Sequence, residues 1–316
     1  MNFSGLIHNF GPLTVTGLAQ GAIIALFALG YTLVYGVLRL INFAHSEVFM
    51  VGTFAAFGIW QFFGYNQNSA TPAAVTAIGL ILAGLVVAIA ASGFTAIVVE
   101  LVAYRPLRRR NAPPLVFLIT AIGASLVISE SFGVFSHHNV QGAPTLIAPH
   151  DVVHVGNTHI TVLQILIIVL ALVMMFGLDR FVNRTRMGRG IRAVAQNPDS
   201  AALMGVNKNR VISLVFLLGG LMAGVAAVMY LLKIGDTKYD AGFTLGIEAF
   251  TAAVLGGIGN LRGALVGGLL LGVLENYGSG LFGTQWHTVV AFVLLILILM
   301  FRPTGILGEA LGRARA

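Results

Sequence analysis

Asn42, His45, Ser46 and Glu47 stand together in "RLINFAHSEVFMVG" (39–52), at the head of an otherwise apolar run. A charge at bilayer depth costs about 2.5–3.5 kcal/mol, so ionisable groups in such a place are functional candidates by default. One reading is an interfacial turn, with Asn42 or Ser46 as helix N-cap and Glu47 in the first turn facing the helix dipole. The other is a broken helix beside a permeation path. The two are compatible, because a break at that depth needs its freed backbone groups capped.

Other groups argue against catalysis. Glu100, Glu130, Glu248 and Glu275 lie in or near apolar segments, where a proton-coupled carrier or an intramembrane hydrolase would use them. Glu100 and Glu130 fall near span ends, and Glu248 and Glu275 are open to capping or snorkelling. No pair has a spacing that suggests acid–base work, and no Ser–His or His-Glu-x-x-His arrangement occurs. His137, His138, His150, His154 and His159 gather in one loop and read as solvated side chains rather than metal ligands. No catalytic residue and no metal site are expected. "GGIGNLRG" (256–263) lacks the Gly-Lys-Ser/Thr of a phosphate loop and a preceding strand, so any ATP and Mg²⁺ would be handled by partner subunits.

The elements that position these groups are apolar. Of 316 residues, 57% are hydrophobic and 9% charged, against roughly a quarter charged in soluble domains. Low-charge runs fill 10–38, 48–64, 73–99, 113–135, 160–178, 211–232, 241–259, 263–283 and 286–301. Most reach the roughly 20 residues that cross a bilayer core, and they lack the ten-residue alternation of a barrel. The pattern predicts an all-α polytopic membrane protein, one domain over 1–316. It has nine crossings if 241–283 makes two, and eight if part of it is re-entrant. No cysteine is present, which excludes disulfides and thiolate sites. The first residues lack a basic flank or cleavage motif, so the first span is expected to stay.

The net charge of +7 does not point to nucleic acid, because the charges sit between spans. Arg105, Arg108, Arg109 and Arg110 fill one loop; Arg180, Arg184, Arg186, Arg189, Arg192, Lys208 and Arg210 fill another. By the positive-inside rule both loops are cytoplasmic. The N-terminus and the 136–160 loop are then outside, and the C-terminus is inside. Sixteen of the 18 Lys and Arg residues fall inside, leaving Lys233 and Lys238 outside.

Glycines at 256, 257, 259, 263, 267, 268 and 272, with the pairs Gly17/Gly21 and Gly220/Gly224, allow close helix approach or a kinked gate at Gly256–Gly259. The interrupted segments 39–52 and 246–268 follow spans of opposite direction, the arrangement of inverted halves around a transport site. The polar stretch "RGIRAVAQNPDSAALMGVNKNR" (189–210) carries Ile191, Val194, Ala195, Ala201, Ala202, Gly205 and Val206 at helical period. Asn197-Pro198-Asp199 is a helix start signal and Gly205 a stop. An interfacial helix on anionic lipid is one reading, but the small-residue face better suits docking into a protein groove.

Four segments resemble the branched-chain amino acid (LivH-type) permeases of ABC importers. Residues 189–210 resemble their cytoplasmic coupling loop, and "INFAHSEVFMVGTFAAF" resembles their "INFAHGE" signature with Ser46 in place of glycine. "VLGGIGNLRGALVGGLLLGVLE" and "FRPTGILG" resemble their C-terminal segments. The resemblance implies a type II-like importer permease fold with broken helices, in the inner membrane. Its partners would be a second, LivM-like permease, two cytoplasmic ATPases and an external binding protein, with a coupling helix at about 190–206. On the matching positions it implies ATPase coupling by Arg192, Gln196, Asn197, Pro198, Asp199, Ala202 and Gly205. It implies a path along Asn42, Ala44, His45, Ser46, Glu47, Gly256, Gly257 and Gly259. Urea and short-amide permeases share these motifs, and an ion-gradient carrier is the reading from another class.

Overall fold

The computed structural model describes residues 8–308 apart from 41, 149, 156, 157 and 303. Every long apolar run folds as helix, since in hydrocarbon the backbone must satisfy its own hydrogen bonds. The order is α1 (Phe10–Leu38), α2 (Ala44–Phe62) and α3 (Ala74–Val99), which runs through a π turn (Glu100–Tyr104) into α4 (Arg105–Arg109). Then come α5 (Pro114–Phe135), α6 (Val162–Arg184), α7 (Arg186–Gln196), α8 (Pro198–Leu203) and α9 (Lys208–Ile234). The chain ends in α10 (Ala241–Gly256), α11 (Leu261–Phe282) and α12 (His287–Phe301). Four short strands among the described residues belong to the connections. β1 (Gln141–Gly142) pairs antiparallel with β4 (Asp236–Thr237), and β2 (Asp151–Val155) with β3 (Thr158–Thr161).

Seven helical stretches among the described residues are long and apolar enough to cross a membrane: α1, α3 with α4, α5, α6, α9, α11 and the stretch through α12. α2 has 19 residues and α10 has 16. At 1.5 Å per residue α10 is about 24 Å long, short of a hydrocarbon core of about 30 Å. That length leaves α10 a partial crossing, which is why the sequence alone left eight and nine open.

Two antiparallel pairs form the centre. α1 lies on α11 where Gly17 and Gly21 meet the backbone of Gly268, Leu269, Gly272 and Val273. α9 lies on α3 in the same way, with Gly220 against Ser92 and Gly93, and Gly224 against Ala88 and Ile89. A methyl group at Gly224 would sit 2.7 Å from the Ile89 Cα, so only glycine permits this approach. The matching role of the pairs Gly17/Gly21 and Gly220/Gly224 gives the fold its plan. α1, α2 and α3 are repeated with reversed direction by α9, α10 and α11, and each half's first helix packs on the other half's third. α2 and α10 then meet between the pairs, also antiparallel, with Phe43 beside Phe250 and Ser46 beside Gly242 and Gly246.

α1 and α9 are the most enclosed of the seven spanning stretches, whereas α3, α5, α6 and α12 turn Val86, Phe94, Ile119, Leu126, Phe176 and Met300 outward. Such an apolar exterior suits lipid or another apolar chain. Basic groups collect at one end of the bundle, where Arg39 reaches the Ala195 carbonyl and Arg262 pairs with Asp179 at 3.2 Å. The β1–β4 pair and the His138–Glu130 contact mark the other end.

Candidate functional site

The break before α2 lies at half depth. Ser92 donates to the Val48 carbonyl at 2.9 Å, and Ser125 donates to Glu47 at 3.0 Å. Ser92 sits near the middle of the continuous helical stretch Ala74–Arg109, and Ser125 near the middle of α5. The chain therefore climbs from Arg39 at the basic end back into the bundle before α2 begins. Asn42, Ala44, His45, Ser46 and Glu47 are all buried there.

The capping expected of Asn42 or Ser46 is replaced by other bonds. Phe43 is the N-cap residue of α2 and no side chain caps the helix. The Ser46 hydroxyl turns back to the Phe43 carbonyl and also faces Glu47 Oε1 at 3.2 Å. The Asn42 side-chain carbonyl is taken by the Tyr104 hydroxyl. Glu47 does stand in the first turn, where a carboxylate complements the helix dipole, and its Oε2 has no hydrogen-bond partner among the described residues.

His45 fills a slot left by two glycines, Gly30 on α1 and Gly219 on α9, either of whose Cβ would press on the ring. The ring stacks on Phe27, with centroids 5.2 Å apart, and meets Tyr31 edge-on at 4.9 Å. Its Nε2 has no hydrogen-bond partner among the described residues. Ser46, which stands where the resemblance expects glycine, is accommodated by Gly246, whose missing Cβ would lie 2.7 Å from the Ser46 Cβ. A side chain is tolerated on α2 because α10 gives up its own.

Below the break a cleft is lined by Tyr31, Tyr35, Leu40, Asn42, Phe250 and Ile258, among others. Tyr31, Asn42 and Phe250 join it to the buried cluster. Gly256 and Gly257, which the resemblance places on the path, pack against backbone, and the would-be Cβ of Gly259 lies 4.0 Å from the Gly36 Cα. Gly256 packs on Gly263, and Gly257 (φ 106°) lies against Gly308. The segment after α12 closes the end of α10, with Ile306 and Leu307 amides donating to the Leu255 and Gly256 carbonyls at 2.8 and 3.0 Å. Of this turn, Ile258 faces the cleft.

The basic end carries the second feature. α7 and α8 form a bent pair joined at Asn197, whose Oδ1 accepts from the Asp199 and Ser200 amides at 3.0 Å. Pro198 at the first helical position completes that start. Past the end of α8, Gly205 takes φ 83° with nothing within 4 Å of its would-be Cβ, a conformation glycine adopts without strain. Arg192, Gln196, Asn197, Pro198, Asp199, Ala202 and Gly205 are all exposed. Arg192 also holds α7 to α6 through the Val182 carbonyl and Asn183.

The apolar face read from the sequence is turned the other way. Ile191, Val194 and Ala201 are buried against the chain's own bundle. The outward apolar surface is Leu203 and Met204, 90% and 85% exposed. A period count over alanines and glycines missed them, although two large apolar residues beside the stop glycine were a visible signal.

Between the two features runs a polar chain. Glu100, fully buried at the π turn, holds Arg105 at 3.0 Å and Arg108 at 2.5 Å. It also accepts from Ser213 of α9 at 3.0 Å. Asn207 caps α9 just after α8, so the α8–α9 corner, Glu100, the π turn, Tyr104 and Asn42 are continuous through hydrogen bonds and backbone. A π turn inside a helix frequently marks a functional site.

The family model for branched-chain amino acid transport system permease components matches residues 13–299. The high-affinity branched-chain amino acid transport system permease protein BraD of Pseudomonas aeruginosa is 42% identical, over 96% of this chain and 97% of its own length. The corresponding LivH of Escherichia coli K12 is 40% identical over 93% and 94%. The probable LivH of Methanocaldococcus jannaschii is 27% identical over 92% and 91%. An internal break at half depth, a bent helix pair at the basic end and matches of this extent lead to one conclusion: the chain is a multi-pass transport subunit, not an enzyme, and belongs to the family of branched-chain amino acid transport system permease components.

Proposed function

We propose that this chain passes branched-chain amino acids through a bacterial cytoplasmic membrane as one permease of an ATP-driven importer. The observation that carries the substrate is the full-length similarity to BraD and LivH, named as branched-chain amino acid permeases. The cleft's apolar and aromatic lining suits an aliphatic side chain. Asn42, Ala44, His45, Ser46 and Glu47 line or support the path, and the unpartnered Glu47 oxygen is the group suited to an ammonium.

The basic end faces the cytoplasm, with the N-terminus outside and the C-terminus inside. Support comes from the 16 of 18 basic residues that this orientation places there, as the positive-inside rule demands. Two ATPase subunits bind ATP and Mg²⁺, and one of them docks on α7–α8 of this chain through Gln196, Asp199, Ala202, Leu203, Met204 and Gly205. Their closure moves α8, and the Glu100–Tyr104–Asn42 chain carries that movement to the break. A second, LivM-like permease covers part of the apolar exterior, and an external binding protein delivers substrate to the opposite end.

The substrate assignment is tested by ATP-dependent uptake of labelled leucine into vesicles holding the whole transporter. Excess isoleucine and valine should suppress it, and excess urea or acetamide should not. Suppression by urea or acetamide alone would move the chain to the amide permeases.

A further inference from the structure

Away from the break, three helices bring two carboxylates and an imidazole together. Glu248 of α10, Glu275 of α11 and His287 of α12 offer ligand atoms that all lie within 4.8 Å of one another. His287 Nδ1 is 3.7 Å from Glu248 Oε1, and Nε2 is 3.7 Å from Glu275 Oε2. Glu275 is fully buried and Glu248 is 4% exposed. Neither oxygen of Glu275, nor Oε2 of Glu248, has a hydrogen-bond partner among the described residues. Carboxylates taken out of water without donors are either protonated or compensated by a positive charge. Lys233 lends one at longer range, but its ammonium is turned to Gln20 Oε1 at 2.6 Å.

We propose that Glu248, Glu275 and His287 bind one divalent transition-metal ion of the zinc class. Two carboxylates offset its charge, and a neutral imidazole supplies a nitrogen donor. A set of one nitrogen and two carboxylates favours zinc over magnesium or calcium, which prefer all-oxygen sites. One ion with bonds of about 2.0–2.2 Å can bridge donors this close together. α12 is the least enclosed of the spanning helices, and the ion would fasten it to α10 and α11.

The test uses the full chain purified with its partner subunits, stripped with a chelator at neutral pH and titrated with zinc chloride. Wild type should retain one zinc per chain by elemental analysis, and zinc should raise its melting temperature. Glu275→Gln and His287→Gln should each weaken binding at least about tenfold and abolish that rise. His287 is partly exposed on a peripheral helix, so its variant remains informative if Glu275→Gln fails to fold. The proposal is overturned if wild type retains no more zinc than the Glu248→Gln/Glu275→Gln double variant, as an imidazolium bridging both carboxylates would give. Equal zinc retention by wild type and all variants overturns it too, because the ion then sits on other residues.

Discussion

The Tyr104 hydroxyl donates to the Asn42 side-chain carbonyl at 2.9 Å, tying the π turn at the end of α3 to the break before α2. Both residues are buried, Tyr104 between Phe117 and Phe216. In the proposed coupling, movement of the α8–α9 corner would reach the break through this bond.

Tyr104→Phe removes the donor and leaves a buried carbonyl unpaired, at a cost of about 1–3 kcal/mol. ATP-dependent uptake should fall by about tenfold, while ATP hydrolysis by the assembled transporter stays near wild type. Uptake and hydrolysis falling in parallel would show that the bond is needed for assembly rather than for transmission.

Glu100→Ala leaves Arg105 and Arg108 without their shared carboxylate. Breaking a buried ion pair on one side costs about 3–5 kcal/mol, so the variant should melt well below wild type in detergent. Glu100→Gln keeps an acceptor for Ser213 and should melt between the two. Equal melting temperatures for all three would mean that the network contributes nothing to stability.

Gly224→Val inserts a branched side chain where the Ile89 Cα and Ala88 carbonyl already lie 2.7 and 2.8 Å from the would-be Cβ. Overpacking of about 1–3 kcal/mol or more follows, because the obstacle is backbone. The same change at Gly21 should act alike, since it holds the corresponding place against α11. Measured thermal stability unaffected at either position would contradict the helix pairing.

Leu203→Asp should leave stability within about 0.5 kcal/mol of wild type, as substitutions on an open surface do. Its effect should be on assembly, with ATPase subunits lost on affinity purification. Retention of the ATPases by Leu203→Asp and by Met204→Asp would remove this surface from the interface.

Much of this was legible in the sequence because lipid leaves few choices. Apolar runs became helices, Asn197-Pro198-Asp199 started α8, and Gly17/Gly21 and Gly220/Gly224 marked the two central pairs. The site was read less well. A break was evident at residues 42–47, but its depth depends on Ser92 and Ser125, ordinary serines in apolar helices until α2 is laid beside them. Tyr104 falls between the apolar run 73–99 and the basic loop at 105–110, and its partner lies 62 residues away. Gly256 and Gly257 suggested a gate because glycine permits both bending and close packing; the neighbours they pack on, Gly263 and Gly308, come from other segments. Glu248, Glu275 and His287 have no spacing in the chain that points to one another, since three helices bring them together.

The central claim is that α7–α8 couples partner ATPases to a path at the break. The most direct measurement is ATP-dependent leucine uptake into proteoliposomes containing this chain, its permease partner, the ATPases and binding protein, with wild type set beside Gly205→Glu. The substitution puts a charged side chain at φ 83° with open space around it, so membrane insertion should be unaffected. The account predicts uptake by the wild-type assembly, none by this chain alone and none by Gly205→Glu. Leucine uptake by this chain alone under an ion gradient, or wild-type uptake by Gly205→Glu, would contradict it.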